Sequence, residues 1–248
     1  MSELLLTLGW RTSRDGALRF IGVIGAVTVG IVIATLALGE ITGIPAIVVQ
    51  LAMWTGWLLW LGIFFPRSRL RMDASDCEHP YHLAFVRELL PGIGVNFALL
   101  LRPAALGLFE GPTPHAGVPA LAGVCLTIGG VALIASATNV IGIARAFFVH
   151  EYEDVRGGLV ARGVYEHMRH PLFIGGMALS LGLALLVGVA EGVELAALNV
   201  AILPAYLYFE ERRCSIVIGE PYRRYRSATG AVLPRGWHPL QEPRRRRS

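Results

Sequence analysis

The chain has 248 residues, of which 54% are hydrophobic and only 16% charged, with a formal net charge of +4. That balance excludes an ordinary soluble domain, in which about a quarter of residues carry charge. The apolar residues also fall in blocks long enough to cross a bilayer, which takes roughly 20 residues at about 1.5 Å each.

Six such blocks are predicted, at about 20–38, 44–65, 89–109, 117–140, 172–190 and 194–209. The first is too long for a signal-peptide core and lacks a clear cleavage pattern, so it reads as a retained helix. The third, "LLPGIGVNFALLLRPAALGLF", is interrupted by Arg102 and two prolines; such breakers are tolerated where neighbouring helices re-satisfy the backbone. Arg102 is an intramembrane cation and is expected to face the bundle interior. Asn96, six residues earlier, does not share its helical face, so no partner can be named for it.

The joints between blocks alternate in charge. "RTSRDGALR", "FPRSRLRMDASDCEHPYHLAFVRE", the 145–171 loop and the C-terminal tail carry the Arg, whereas "GEITG", "EGPTPHAG" and "AEGVE" carry neither Arg nor Lys. The positive-inside rule then puts both termini in the cytoplasm and requires an even number of spans. The expected fold is all-α, a polytopic membrane protein of about six transmembrane helices in the cell membrane. Its N-terminal part, 1–116, holds about three spans with a cytoplasmic loop at 66–88. Its C-terminal part, 117–248, concentrates the polar motifs.

Every basic residue is Arg, an absence of Lys that reflects composition rather than mechanism. The "RRRR" at 244–247 suits anionic lipid head groups as well as a solvated positive-inside tail, and membrane lipids are the expected partners. No aromatic-basic platform points to nucleic acid, and no protein partner is predicted. Cys77, Cys125 and Cys214 form no disulfide framework. Cys77, His79 and His82 lack a fourth ligand for zinc and read as a polar loop, so no metal is expected.

Two segments carry the chemistry: "RAFFVHEYEDVRGGLVARGVYEHMRHP" at 145–171 and "YLYFEERRCSIVIGEPYRRYRSATGAVLPRGW" at 206–237. They bracket a hairpin of two spans joined by "AEGVE", which returns the chain to its starting side and sets the segments side by side. Pro171 fits the first position of the fifth helix, where its missing N–H costs nothing. The free amides there, with Arg169 and His170 beside them, suit an anionic group. Gly175 and Gly176, one turn in, allow a close approach. Glu210 and Glu211 end the last span and oppose its dipole; either Arg212 and Arg213 compensate them, or a cationic ligand does. An anion site beside paired carboxylates suits a zwitterion with an extra positive charge, and S-adenosylmethionine is such a molecule.

"LVARGVYEHMRHPLFIGG", followed by two spans and "EERRCSIVIGEPYRRYRSATGAVLP", resembles the isoprenylcysteine carboxyl methyltransferase family and its bacterial relatives over about residues 150–236. The family pattern runs Leu-Val, Gly-x-Tyr, Arg-His-Pro-x-Tyr-x-Gly, two spans, Glu-Glu, then Gly-x-x-Tyr-x-x-Tyr and a terminal Pro. The resemblance implies a methyltransferase dependent on S-adenosylmethionine, with a lipophilic or small thiol, carboxyl or amine acceptor. It implies cofactor contacts at His150, Leu159, Val160, Tyr165, His170, Pro171, Leu172, Phe173 and Glu210, with Glu211 completing the acidic pair. Arg169, His170 and Tyr206 fall on the reacting and substrate side. Two positions depart from the pattern. Phe173 replaces its Tyr, and Tyr206 stands where prenylcysteine enzymes carry an Arg for the substrate carboxylate. A phenol does not supply that permanently charged fork, so a different acceptor is expected. An NADPH-dependent reductase of the sterol reductase type shares the Arg-His-Pro hairpin, but Glu210 and Glu211 would repel a pyrophosphate. A non-enzymatic membrane scaffold would leave both polar segments unexplained.

Overall fold

The computed structural model describes residues 2–9, 12–67, 80–113, 116–149, 152 and 159–232. Cys77, His79 and the Arg-rich tail lie outside them. Every regular element among the described residues is helical, and one isolated bridge joins Met168 to Gly230. After a short helix α1 (Ser2–Thr7), the bundle runs α2 (Arg14–Thr42), α3 (Ala46–Arg67), α4 (Tyr81–Glu110), α5 (Val118–Ile141), α6 (Pro171–Val187) and α7 (Ala190–Val217), and α8 (Glu220–Ala228) follows. The chain is an all-α polytopic membrane protein.

Five of these helices, α2 to α5 and α7, are long and apolar enough to cross a membrane. The remaining apolar helix, α6, has 17 residues, so it extends about 25 Å against a hydrocarbon core of about 30 Å. It stops short of the predicted 190 because Gly188 turns left-handed, at φ +84°, and caps it. Helix α4 begins near residue 81 rather than 89. Arg87 and Glu88 interrupt the apolar run there, yet the backbone continues as a π-helical turn at Phe85–Leu89. The expected loop at 66–88 is correspondingly shorter.

Arg102 faces inward and is 1% exposed. Its Nη1 donates to the Ala46 carbonyl and to Gln50 Oε1, each at 3.0 Å. Gln50 Nε2 in turn donates to Asn199 Oδ1 at 2.8 Å, and Trp54 Nε1 donates to the same oxygen at 2.7 Å. Asn199 Nδ2 closes the network on the Leu99 carbonyl at 2.8 Å. Polar side chains inside an apolar bundle need such mutual satisfaction, and here it ties α3, α4 and α7 together. Sequence spacing could not find these partners because they come from other helices.

Helices α5 and α6 meet through glycine. A Cβ on Gly130 would sit 2.7 Å from the Gly175 carbonyl, and one on Gly182 would sit 2.6 Å from the Thr127 amide. Only bare backbones approach this closely, the packing mode of small residues between membrane helices. The opposite face of α5 shows Leu121, Val124, Ile128 and Val131 to the outside, as a lipid-facing helix does. The core crosses residue 116 without a gap: Trp54, Trp57 and Leu99 pack with Met177, Leu203 and Tyr206.

Candidate functional site

Where α6 begins, three neighbouring stretches converge. Gly163, at φ +58°, turns the chain into a single helical turn, Val164–His167. The Glu166 carboxylate accepts from the Gly163 amide at 3.1 Å and fixes that turn. Pro171 then opens α6, with His170 as its N-cap, as its missing N–H predicts.

The returning helix α7 brings the acidic pair beside this corner, but its two carboxylates do different work. Glu211 Oε1 accepts from Arg169 Nε at 3.0 Å and lies 3.2 Å from His170 Nε2. Its Oε2 meets Arg226 Nε at 3.0 Å. Arg169 Nη1 reaches the carbonyls of Arg226, at 2.9 Å, and of Thr229. The Arg169 amide donates to the Gly230 carbonyl at 3.0 Å. Tyr225 adds a latch, its hydroxyl donating to the Tyr165 carbonyl at 2.5 Å. The stretches 163–170 and 225–230 are therefore zipped together, side by side as the hairpin reading expects.

Beneath that zipper lies a cavity of about 420 Å³, within the range of about 300–1,000 Å³ usual for small-molecule sites. Leu159, Val160, Tyr165, Arg169, His170, Leu172, Phe173 and Glu210 all line it. Three described candidates do not. Pro171 is buried in the first turn of α6. Glu211 is turned to its basic partners. Tyr206 is 1% exposed, one helical turn below, with its ring 4.3 Å from that of Phe173 and 6.4 Å from Trp54. His150 lies outside the described residues.

The lining also holds Arg145, Phe148, Cys214 and Tyr225, which sequence reasoning left out of the site, together with Tyr222 and with Arg213, expected there only as a counter-charge to the acidic pair. Arg213 was legible as a partner for Glu210, three residues before it on a helix. Its Nε donates to Glu210 Oε2 at 3.1 Å, and its guanidinium stands 5.0 Å above the Phe148 ring and 5.4 Å from Phe65. Phe148 adopts φ +63°. A left-handed non-glycine residue costs about 1–2 kcal/mol, and strain of this kind concentrates at binding sites. No sequence pattern marks it.

The electrostatics follow from burial. His170 is pulled below the ordinary imidazole value by desolvation, against the opposing pull of Glu211. The ring is therefore neutral near pH 7, and its hydrogen bond to a carboxylate places the proton on Nε2. Burial likewise raises the phenols of Tyr165, Tyr222 and Tyr225, which stay protonated and serve as donors. The site thus combines an apolar floor, one carboxylate facing inward, guanidinium groups and neutral donors.

The model of the phospholipid methyltransferase family matches residues 118–216. That stretch runs from the start of α5 almost to the end of α7 and contains the zipper's Arg169, His170 and Glu211. It agrees with the resemblance carried by the Arg-His-Pro and Glu-Glu motifs and indicates a membrane methyltransferase. No curated protein and no solved structure matches the chain significantly.

Proposed function

We propose that the chain transfers a methyl group from S-adenosylmethionine to a lipophilic or small thiol, carboxyl or amine acceptor at the cytoplasmic membrane surface. The observation that carries this reading is the convergence of Leu159, Val160, Tyr165, His170, Leu172, Phe173 and Glu210 on one cavity. These are the positions at which the resemblance implies cofactor contacts, and they come from three separate stretches of chain. The fit is chemical as well. Glu210 offers a carboxylate to the positive groups of the donor, and the apolar lining suits a flat nucleobase. Tyr222 buries a hydroxyl that has no hydrogen-bond partner among the described residues.

The methyl donor, when bound, supplies an electrophilic methyl on sulfur and a neutral thioether leaving group. The chain's part is to bind, orient and exclude water. Alignment of nucleophile and electrophile can contribute about 7–11 kcal/mol. Arg169 and Glu211 act here by holding the walls in register. His170, neutral and bound through Nε2, presents Nδ1 as an acceptor. Its lowered pKa makes it a weak base, suited to orienting an acceptor's proton rather than to removing it from a strongly basic group.

A second cavity, of about 560 Å³, lies between α2, α3 and α4, lined by Met53, Trp57, Trp60 and Val95 with Arg87 and Glu88. Trp57 stacks on Tyr206, and Tyr206 packs against Phe173, so a row of aromatic rings links the lining of this cavity to that of the main one. This apolar space supports a lipophilic acceptor over a small polar one. The reactive corner is assigned to the cytoplasm because the Arg-bearing joints lie on that side.

Thermal protection of the purified protein tests the reading. S-adenosylhomocysteine should raise the melting temperature, and NADPH should leave it unchanged. Protection by NADPH alone would replace this reading with the reductase, and protection by neither would leave a scaffold. A reporter inserted in "EGPTPHAG" should be accessible only from outside the cell; cytoplasmic access would overturn the orientation.

A further inference from the structure

Two tyrosines one helical turn apart on α8 share nearly the same burial and differ in what their hydroxyls do. Tyr222 and Tyr225 are each 4% exposed, and both line the cavity. Their rings pack edge to face at 6.0 Å. Tyr225 spends its hydroxyl on the Tyr165 carbonyl at 2.5 Å, within reach of Met168 as well. The hydroxyl of Tyr222 is fully buried and has no hydrogen-bond partner among the described residues.

Its polar surroundings supply only a thiol. Cys214 lies within hydrogen-bonding reach of it, but sulfur is a weak acceptor and the contact falls short of hydrogen-bond geometry. Glu211 and Arg169, also near, are committed to each other and to His170, Arg226 and Thr229. An unpaired buried hydroxyl is a net cost to the free protein, one that phenylalanine would avoid with the same ring packing. A group that destabilises the empty protein and lies in the wall of a cavity is accounted for by what enters that cavity.

We propose that the Tyr222 hydroxyl contacts ligand, donating a hydrogen bond to an oxygen or ring nitrogen of the bound methyl-donor nucleoside. The proposal rests on the reading of this cavity as the methyl-donor site. Because α8 also carries Tyr225 and Arg226, which zip it to the 163–170 stretch, the helix sets Tyr222 in the cavity wall while anchored at its other end. Burial raises the Tyr222 phenol, so the proton remains available throughout the physiological range.

The test compares wild type, Tyr222→Phe and Tyr225→Phe, purified in detergent, by melting without ligand and by calorimetric binding of S-adenosylhomocysteine. Tyr222→Phe should melt at or above the wild-type temperature when empty, yet bind the nucleoside roughly tenfold more weakly, the loss of one hydrogen bond. Tyr225→Phe should melt lower when empty, because it breaks the latch. A lower empty melting temperature for Tyr222→Phe would show its hydroxyl to be structural and overturn the proposal. Equal binding by wild type and Tyr222→Phe would overturn it while leaving the cavity reading intact. Failure of the wild type to bind would overturn both.

Discussion

Arg169 and Glu211 bind each other across 42 residues of sequence, through Arg169 Nε and Glu211 Oε1 at 3.0 Å, with both side chains about nine-tenths buried. The pair joins the entry to α6 with the end of α7, and its other contacts draw in the stretch after α8. It is therefore the joint on which the cavity walls are hung. Breaking one side of a buried ion pair leaves the other uncompensated, at about 3–5 kcal/mol. Arg169→Gln and Glu211→Gln should each lower the melting temperature by several degrees. The double variant should be less destabilised than the sum of the two, with a coupling of about 0.5–3 kcal/mol. Strictly additive losses would show that the two side chains do not act as a unit.

Glu210 answers to a different test. It lines the cavity and pairs with Arg213 three residues on. Glu210→Gln keeps size and shape, deletes the charge, and retains an oxygen for Arg213. Hydrogen bonds to charged groups contribute about 1.5–3 kcal/mol, so affinity for S-adenosylmethionine should fall by roughly ten- to a hundredfold. Glu220→Gln, whose carboxylate is exposed and meets Arg223 and Arg224, serves as the control and should bind normally. Calorimetry showing equal binding for both variants would remove Glu210 from the site.

His170 gives the protein an acid-sensitive element. Burial lowers its folded pKa below the unfolded value of about 6.5. The folded state thus binds its proton less readily than the unfolded state. Its contribution to stability is fully present above about pH 6.5 and is lost as pH falls through the lower, folded value. Melting temperature should accordingly decline on acidification below about pH 6.5, and His170→Gln should flatten that decline. A wild-type profile that falls instead on going from pH 6.5 to 8 would assign the wrong sign.

Tyr206 sits in an aromatic packet with Trp54, Trp57 and Phe173 and does not reach the cavity. The unmodified protein should not methylate the carboxylate of a prenylated cysteine at a useful rate, since no guanidinium stands at this position to hold it. Tyr206→Arg should lower the melting temperature, because it places a cation among three rings. Product analysis by mass on membranes incubated with labelled methyl donor is the assay. Robust prenylcysteine methylation by the wild type would show that position 206 was wrongly aligned to the family pattern.

The polar corner was legible because its chemistry is local: Pro171 fits the first turn of a helix, and a short joint between the two spans, at Gly188–Val189 rather than over the expected "AEGVE", which begins α7, returns residues 163–170 and 210–211 to the same side. The helices were legible from their apolar runs, except where charge hid a continuing backbone, as at Arg87 and Glu88 in α4. Relationships between helices were not. Glu210 and Glu211 look alike in sequence, and only their opposite orientations on α7 show that one faces the cavity and the other a structural arginine. Arg102 declares itself as a buried cation, but Gln50 and Asn199 come from helices on either side of it in the chain. Phe148 in a left-handed conformation carries no signal at all, since nothing about a phenylalanine announces positive φ.

The glycine contact between α5 and α6 offers a test in two adjacent residues. A Cβ on Gly130 would lie 2.7 Å from both the Gly175 carbonyl and the Leu179 amide, whereas one on Gly129 meets nothing within 4 Å. Both are interior positions of the same helix, so Ala gains about the same helix propensity at each, roughly 1 kcal/mol over Gly. Gly129→Ala should leave the melting temperature unchanged or raise it slightly. Gly130→Ala should lower it, because two backbones must separate to admit one methyl group, and overpacking of this kind typically costs about 1–3 kcal/mol. As α6 carries His170 and Phe173 at its start, the same displacement should widen the cavity and weaken nucleoside binding in Gly130→Ala alone. Equal melting temperatures for the two variants would mean that α5 and α6 are not in backbone contact in the membrane.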